Sequence, residues 1–166
     1  MAIVALTPFP ITSAALCSFA DPDYKERRYR EGIPYCKRNV SLARKKIVYR
    51  RYHFNHRKNS SFTVDHVLPL SLGGNNSVGN LFLEWKGLRD HRYPLEQHLY
   101  WAIRAGCLSQ VSAIKVILDS KYNPTFLNEK SYKEWGSLEN YISVKHIKIW
   151  KEWACINLID KDKGQN

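Results

Sequence analysis

The fold is decided by residues 63–96, which read TVDHVLPLSLGGNNSVGNLFLEWKGLRDHRYPLE. Apolar residues at 62–64 and 67–70 flank Asp65 and His66 and predict a short strand around these two ionisable side chains. The turn-forming residues at 71–77 predict a loop that is too long for a tight hairpin. Residues 80–83 predict a second short strand, so the order is strand, loop and strand.

A helix is predicted next, because the apolar spacing changes at about Tyr93. Pro94 suits the first turn of a helix, and Gly106 is placed to end it. The buried face is predicted to carry apolar residues four positions apart, namely Leu95, Leu99 and Ile103.

Two accessory helices are predicted within residues 109–160. Ser109 is placed to cap the first, which stops before Asn123 and Pro124. Its apolar face is predicted to consist of Val111, Ile114, Ile117 and Leu118. The second runs from about Ser143 to Leu158.

Four features of the central stretch occur together: the Asp65-His66 pair, Pro69, the Gly73-Gly74 doublet, and Asn80 followed by Leu81. In this order and spacing they resemble the HNH endonucleases, whose active site is a strand, loop, strand and helix around one divalent metal ion. The resemblance implies an α+β fold with a ββα-metal (HNH, His-Me finger) core at 61–105. A basic N-terminal segment and the accessory helices would complete a single domain over residues 1–166.

The resemblance also implies roles for the central residues. His66 is expected to be the general base, since a neutral imidazole can accept a proton at working pH. Asp65 is expected to be an oxygen ligand of the metal. Adjacent residues of a regular strand point to opposite faces, so a locally distorted strand or loop is expected to hold both. Asn80 is expected to fix the loop through side-chain hydrogen bonds and so to orient the imidazole.

The last metal ligand departs from the family pattern. Its usual place falls at or near Arg89, whose guanidinium cannot bind a cation. His91 is favoured over Asp90 as the replacement, and Glu84 is a third candidate. Mg²⁺ or Mn²⁺ is the expected metal, whereas an imidazole ligand would widen the tolerance to Ni²⁺, Co²⁺ or Zn²⁺.

The charge predicts a polyanionic partner. Lys and Arg total 26 against 15 Asp and Glu, which gives a formal net charge of +11. Such an excess favours nucleic acid, with an affinity that falls as salt rises. Membrane binding is not expected, because no apolar run is long enough to span a bilayer. The phosphate-binding candidates are Arg51, Arg57, Lys58, Lys86, Arg89 and Arg92.

The basic segment at 21–57 also interleaves aromatic residues with its Lys and Arg. This mixture favours contact along a phosphate backbone. The alternative is a solvated helix face followed by a strand. His56 is a weaker candidate for contact with nucleic acid, and the remaining histidines are interpreted as surface or packing residues.

Residues 1–20 are almost uncharged and end in small residues before Asp21. They form either a remnant export signal or an apolar arm, and a secreted or periplasmic location is favoured over a cytoplasmic one. The four cysteines lack a zinc-ribbon spacing. In an exported protein the least entangled pairing is Cys17 with Cys36 and Cys107 with Cys155. Cleavage after Ala20 would remove Cys17, so the two predictions compete.

Together these features predict a metal-dependent endonuclease that acts on DNA, and on RNA as a second class, with little sequence specificity. Its products would carry a 5′-phosphate and a 3′-hydroxyl, as the resemblance implies. The alternatives are a sequence-specific restriction or homing enzyme and a non-catalytic nucleic-acid-binding protein. A toxin or effector nuclease held by an acidic inhibitor protein is a further alternative.

Overall fold

A computed structural model describes residues 8–55 and 61–122, and at His91 and Pro94 it describes the backbone alone. Within these residues the elements are β1 (Tyr24–Arg28), β2 (Ile33–Cys36), α1 (Leu42–Arg51), β3 (Phe62–His66), β4 (Leu81–Trp85), α2 (Lys86–Arg104) and α3 (Gln110–Tyr122). Short 3-10 turns lie at Ser13–Ala15, Leu70–Leu72 and Val78–Asn80. The strands form two separate antiparallel pairs, β1 with β2 and β3 with β4. The predicted α+β class is confirmed at this level.

The β3–β4 pair agrees with the two strands and the long loop predicted from the sequence. Its register runs without a shift from Phe62 opposite Trp85 to His66 opposite Leu81. The Gly73-Gly74 doublet shapes the loop: Gly73 has a left-handed φ of 89°, and a Cβ on Gly74 would lie 2.0 Å from the Leu68 carbonyl oxygen. Only glycine therefore fits at Gly74 without moving the backbone.

The predicted start of α2 is wrong. The helix begins at Lys86, directly after β4, and Pro94 lies in its interior rather than in its first turn. Leu88 and Arg92 occupy buried positions that continue the face of Leu95 toward the N-terminus of the helix. Because Arg92 is charged, it interrupts the apolar pattern from which the start was predicted. Leu99 and Ile103 are buried as predicted, and Gly106, with φ 73°, follows the end of the helix.

The first accessory helix is confirmed as α3. The Ser109 hydroxyl accepts a hydrogen bond from the Ser112 backbone N–H at 3.2 Å, which makes Ser109 the predicted cap. Val111, however, is 62% exposed, contrary to the prediction. Ile117 is buried as predicted, and Ile114 and Leu118 are partly buried against the core. The other buried residues of α3 are Ala113, Val116, Ser120 and Lys121. The predicted helix at 143–158 lies outside the described residues.

The β3–β4 pair lies between helices. On one face Val48 of α1 packs with Val64, Leu81 and Leu83. On the other face Phe82 lies under the ammonium of Lys121, at the end of α3. A larger core joins α2, α3 and the loop after β3 through Leu68, Leu72, Leu95, Leu99, Ala102, Ile103, Leu108, Val116 and Ile117. The two faces of the sheet are therefore in contact with different surroundings.

The described residues of the basic segment, 21–55, form a hairpin followed by a helix, rather than the helix followed by a strand of the predicted alternative. α1 begins at the cap Ser41, whose hydroxyl accepts a hydrogen bond from the Arg44 backbone N–H. Val48 is the residue of α1 that is fully buried, so most of its basic side chains face solvent.

The described residues of the N-terminal arm, 8–20, are part of the fold. Cys17 is bonded to Cys36 with a Cα–Cα distance of 5.7 Å, which confirms the first predicted disulfide. The Cys17 backbone N–H donates to the Gly73 carbonyl at 2.8 Å, and the Asn75 backbone N–H donates to the Ala15 carbonyl at 2.9 Å. Cys107 is also disulfide-bonded, but its predicted partner Cys155 lies outside the described residues. The arm therefore holds the loop between β3 and β4.

None of the helices in the described part of the chain combines the length and the apolar character that a membrane span requires.

Candidate functional site

Asp65 and His66 are the last two residues of β3, and the strand is regular there. The distorted strand expected from the sequence is therefore wrong, and the two side chains leave opposite faces. His66 lies on the α1 face, and Asp65 lies on the face covered by α2 and α3. The structure describes no strand on the other edge of β3.

The His66 imidazole is buried, with 2% of the residue exposed, and its Nε2 lies 3.1 Å from Oδ1 of Asn76. Burial lowers the pKa of His66 from 6.5 to about 4, although the nearby Asp65 charge and the Asn76 hydrogen bond both act to raise it. Desolvation disfavours the charged imidazolium, so the larger effect keeps the ring neutral. A neutral imidazole is the form that a general base requires.

The hydrogen bonds of Asn76 fix which imidazole nitrogen carries the proton. The Asn76 Nδ2 group donates to the Lys37 carbonyl at 2.8 Å and to the Asp23 carboxylate at 3.0 Å. Its Oδ1 accepts the Asn39 backbone N–H at 3.2 Å. With the amide oriented in this way, its oxygen faces His66 and can only accept. Nε2 of His66 is therefore the donor, and Nδ1 carries the lone pair.

Asp23, directly before β1 of the hairpin, holds the Asn76 amide in this orientation. Its carboxylate accepts a hydrogen bond from Asn39 Nδ2 at 2.6 Å and lies 3.4 Å from Arg44 Nη1. Burial alone would raise the pKa of Asp23, but these partners and Asn76 hold it below its usual value. A carboxylate thus orients the amide that in turn orients the imidazole.

Asn80 makes the loop hydrogen bonds that the resemblance implies. Its Oδ1 accepts the Leu68 backbone N–H at 2.8 Å, and its Nδ2 donates to the carbonyls of Leu68 at 2.9 Å and Asn75 at 2.8 Å. The residue is fully buried. Asn80 therefore ties the segment after His66 to the segment before Asn76, and it touches neither imidazole nitrogen.

Asp65 is surrounded by cationic side chains. Its Oδ2 lies 3.7 Å from the ammonium of Lys121, and its Oδ1 lies 4.0 Å from Nη1 of Arg38. Burial would raise the pKa of Asp65, but Lys121 and the His66 backbone N–H hold it below its usual value. The carboxylate is therefore ionised and available as an oxygen ligand.

Lys121 ties α3 to the site. Its ammonium donates to the His66 carbonyl at 2.6 Å and pairs with Glu96 at 3.2 Å, and its side chain is fully buried. The C-terminal part of the chain was predicted to be accessory, whereas this residue contacts both members of the Asp65-His66 pair.

A cleft of about 490 Å³ opens beside Asp65. Its lining consists of Arg38, Val64, Asp65, Arg89, Asp90, Tyr93 and Glu96. His66 does not line this cleft, because its side chain leaves the opposite face of β3. Of the three candidates for the last metal ligand, Asp90 lies on the cleft, where Arg89 donates to it at 2.7 Å. His91 lies in α2, and its side chain is outside what the structure describes.

The expected roles of Arg92 and Glu84 do not fit their positions. Both side chains are 2% exposed and form an ion pair with each other, and Arg92 also donates to the Ser120 carbonyl at 3.2 Å. Burial raises the pKa of Glu84, although Lys121 and Arg92 act against this rise. A guanidinium enclosed in this way cannot reach a phosphate, so Arg92 is a structural residue.

Of the other predicted phosphate contacts, three are exposed and two lie outside the described residues. Lys86 is exposed at the start of α2 and Arg89 is exposed on the cleft. Arg51 is exposed on α1, where it donates to the Val78 carbonyl and lies 4.5 Å from the centre of the Phe9 ring. Arg57 and Lys58 lie outside the described residues, as does His56.

Among the described residues, the group of Asp, Glu, His and Cys ligand atoms close enough to share one ion is Cys17, Asp21 and Cys36. Its two sulfur atoms form the disulfide, so they are not thiolate ligands. The carboxylates of the cleft are more widely spaced. Asp65 and Asp90 both line the cleft, and Mg²⁺ commonly uses one or two carboxylates and keeps several waters.

The sequence pattern did not indicate a role for Arg38, Asn76, Asp23, Lys121 or Glu96. Asn76 had a local signal, because it is the second asparagine after the glycine doublet. The others come from the hairpin, α2 and α3, and their proximity to β3 depends on the tertiary fold.

Comparison with protein-family models, with curated proteins and with solved structures finds no match for this chain. A proposal of function therefore depends on its own side chains.

Proposed function

We propose that the protein is a metal-dependent endonuclease with a ββα-metal core, which hydrolyses phosphodiester bonds of DNA with little sequence specificity. The observation that carries the proposal is the Asp65-His66 pair. One side chain is an ionised carboxylate on a cleft, and its neighbour is a neutral imidazole whose Nε2–H is held by Asn76. RNA is a second substrate class for the same chemistry.

His66 is the general base of the proposed reaction. Its Nδ1 accepts a proton from a water molecule as the water oxygen bonds to phosphorus. The bond from phosphorus to the 3′-oxygen breaks, and that oxygen takes a proton from solvent, which leaves a 5′-phosphate and a 3′-hydroxyl. Asn76 Oδ1 remains bonded to Nε2–H and stabilises the imidazolium that forms.

Arg38 supports the approach of a phosphate to both side chains. Its guanidinium lies 4.0 Å from Asp65, and more than half of its side chain is exposed. Its charge also acts on His66 across the strand. A phosphate on the cleft would meet Arg38 and the Asp65 side of the strand, and His66 would act on it through the attacking water molecule.

Asp65 is the proposed first metal ligand, and Asp90 on the same cleft is favoured over His91 as a second. Bound Mg²⁺ or Mn²⁺ would supply positive charge to offset the charge that develops on the phosphate and the leaving oxygen. Lys121 keeps the Asp65 carboxylate ionised and fixes its position from the buried side. Arg89, which pairs with Asp90, neutralises that carboxylate before the metal binds.

The exposed basic side chains of α1 and the cleft favour recognition of the phosphate backbone over base edges. Phosphate contacts position a protein on nucleic acid without reading its sequence, which is why broad specificity is proposed. The alternative of a sequence-specific enzyme would give discrete cleavage products.

A secreted or periplasmic location is proposed together with this activity. The Cys17–Cys36 disulfide is compatible with an oxidising compartment. An exported nuclease would need an inhibitor while it is made, and the basic charge favours an acidic protein for that role.

Cleavage of supercoiled plasmid tests the metal requirement. We expect nicking with Mg²⁺ or Mn²⁺, no nicking with EDTA, and at least a hundredfold slower nicking by Asp65→Asn, which removes the ligand charge and keeps the side-chain shape. Glu26→Gln, on the hairpin and away from the cleft, is the matched control. Wild-type activity that persists in EDTA would contradict the metal requirement, and absence of cleavage with every metal would leave a binding protein as the better description.

A further inference from the structure

We propose that Asn76 is a positioning residue for His66, and that Asp23 holds Asn76 in its working orientation. The inference rests on the proposed function for the reaction concerned, but the arrangement itself can be tested without activity. It assigns a role to an asparagine that the central motif does not include.

Asn76 is placed to act through His66 alone. The residue is 2% exposed, and its amide is turned toward His66 and the hairpin. All of its side-chain hydrogen-bonding groups are used: Nδ2 has two acceptors, and Oδ1 faces the Asn39 N–H and the imidazole. A rotation of the amide by 180° would place an NH₂ group against the Asn39 N–H and an oxygen against the Asp23 carboxylate. Both contacts would be repulsive, so the amide has one orientation.

Asp23 makes that orientation secure. Its carboxylate is itself fixed by Asn39 and Arg44, and it can only accept a hydrogen bond from Asn76. The hairpin therefore sets the direction of the Asn76 dipole, and the dipole sets the protonated nitrogen of His66. The two elements are distant in sequence, since Asp23 and Asn76 are separated by 53 positions.

The consequence is a fixed base. With Nε2–H bonded to Asn76, the ring cannot rotate about its χ2 angle without losing a buried hydrogen bond. Nδ1 then keeps one direction and one protonation state before the substrate binds. Loss of Asn76 should lower kcat and leave KM unchanged, because substrate contacts are not altered.

The location and exchange of the imidazole proton provide a direct readout. In ¹⁵N-labelled wild type at neutral pH without metal, we expect the His66 Nε2–H proton to be visible and protected from exchange with water. Asn76→Ala should lose this protected signal, and the isosteric Asp23→Asn should weaken it. Asn75→Ala is the control, because Asn75 lies in the same loop and bonds the N-terminal arm but does not contact His66.

Plasmid nicking by the same variants completes the test. We expect Asn76→Ala to reduce kcat about tenfold to a hundredfold, and Asp23→Asn to reduce it less. The control Asn75→Ala should have the smallest effect of the three. A wild-type proton on Nδ1 would overturn the inference, and so would a protected Nε2–H that survives in Asn76→Ala. If Asn76→Ala does not fold, the wild-type spectrum and Asp23→Asn still decide.

Failure of the two proposals would look different. A protected Nε2–H in a wild-type protein that cleaves nothing would support the role of Asn76 in fixing the imidazole and would rule out the nuclease activity. Cleavage by the wild type at a rate that is unchanged in Asn76→Ala would support the nuclease activity and would rule out Asn76 as a positioning residue.

Discussion

Two adjacent residues of β3 meet opposite electrostatic surroundings. Asp65 has the cations of Lys121 and Arg38 near its two oxygens, so it stays ionised. His66 has the neutral amide of Asn76 at its Nε2, and burial keeps the imidazole uncharged. A ligand and a base need these two different states, and the alternation of side chains along a strand supplies them.

Acid should destabilise the protein through His66. Its pKa in the folded state, about 4, lies below the ordinary 6.5, so the unfolded chain binds the proton first as the pH falls. The contribution of the neutral imidazole to stability is complete above pH 6.5 and is lost as the pH falls toward 4, by about 3 kcal/mol. Urea unfolding in EDTA at pH 7 and pH 4.5 would measure this loss.

His66→Gln is the comparison for that experiment, since it has no titrating group at the position. Other carboxylates with lowered pKa values, such as Asp23, titrate in both proteins and cancel in the difference. Equal losses of stability in wild type and variant would show that His66 is not buried in its neutral form.

Whether a residue of the site could be predicted from the sequence depends on how far away its partners lie along the chain. Asp65, His66 and Asn80 could be predicted because they belong to one local pattern. Asn76, Asp23 and Lys121 could not be assigned roles, because the contacts that define them join residues from separate elements. Arg92 was misassigned for a related reason: its partner Glu84 and the cover of α3 are needed to bury a charged side chain.

At the scale of elements, the loop between β3 and β4 depends on the hairpin and on the N-terminal arm. The Cys17–Cys36 bridge joins the arm to the end of β2. The next residue, Lys37, provides the carbonyl that accepts from Asn76. The arm also bonds the loop at Gly73 and Asn75. These contacts connect the disulfide with the orientation of the imidazole.

Removal of this disulfide should therefore lower both stability and activity. The bridge spans 19 residues, for which loop closure predicts about 3 kcal/mol of stabilisation. We expect Cys17→Ser with Cys36→Ser to unfold at a lower urea concentration and to protect the His66 Nε2–H less well. The double variant is preferred to chemical reduction, because it leaves the disulfide of Cys107 intact.

This prediction would be contradicted if the double variant had the stability of the wild type, or if its His66 Nε2–H were as well protected from exchange as in the wild type. The first result would mean that the arm adds no constraint, and the second that Lys37 is held without the bridge.

The elements themselves were predicted with uneven success. Short apolar runs predicted β3 and β4, and the cap Ser109 predicted the start of α3. The start of α2 was missed because Trp85 provides no side-chain cap and because Arg92 occupies a buried position. The position of α1 after a hairpin was also missed, because the density of charge in that segment obscures the strand pattern.

At the scale of the whole molecule, the excess of positive charge predicts how nucleic acid binds. Each phosphate that is neutralised releases a counterion, so the affinity should fall linearly with salt on logarithmic axes. For a few contacts, we expect at least about a tenfold loss between 50 and 200 mM salt. Fluorescence anisotropy with labelled duplex DNA, EDTA and His66→Ala protein would measure binding without cleavage.

Lys46→Gln, on the exposed side of α1, should weaken binding to all sequences and reduce the salt slope. Lys115→Gln on α3 is the matched control, since Lys115 is an exposed lysine that does not line the cleft. An affinity that does not change with salt would contradict a phosphate-directed surface. Equal effects of the two lysines would show that general charge, rather than α1, determines binding.

The most direct measurement is the initial rate of plasmid nicking by His66→Ala relative to wild type, in Mg²⁺, with His98→Ala purified in parallel. His98 is exposed on α2 and does not line the cleft, so it controls for the loss of a histidine. General-base catalysis contributes about 10²–10⁴-fold, and we predict a loss of at least a hundredfold in His66→Ala and none in His98→Ala. A His66→Ala protein that is folded, binds DNA and nicks it at the wild-type rate would contradict the assignment of His66 as the base.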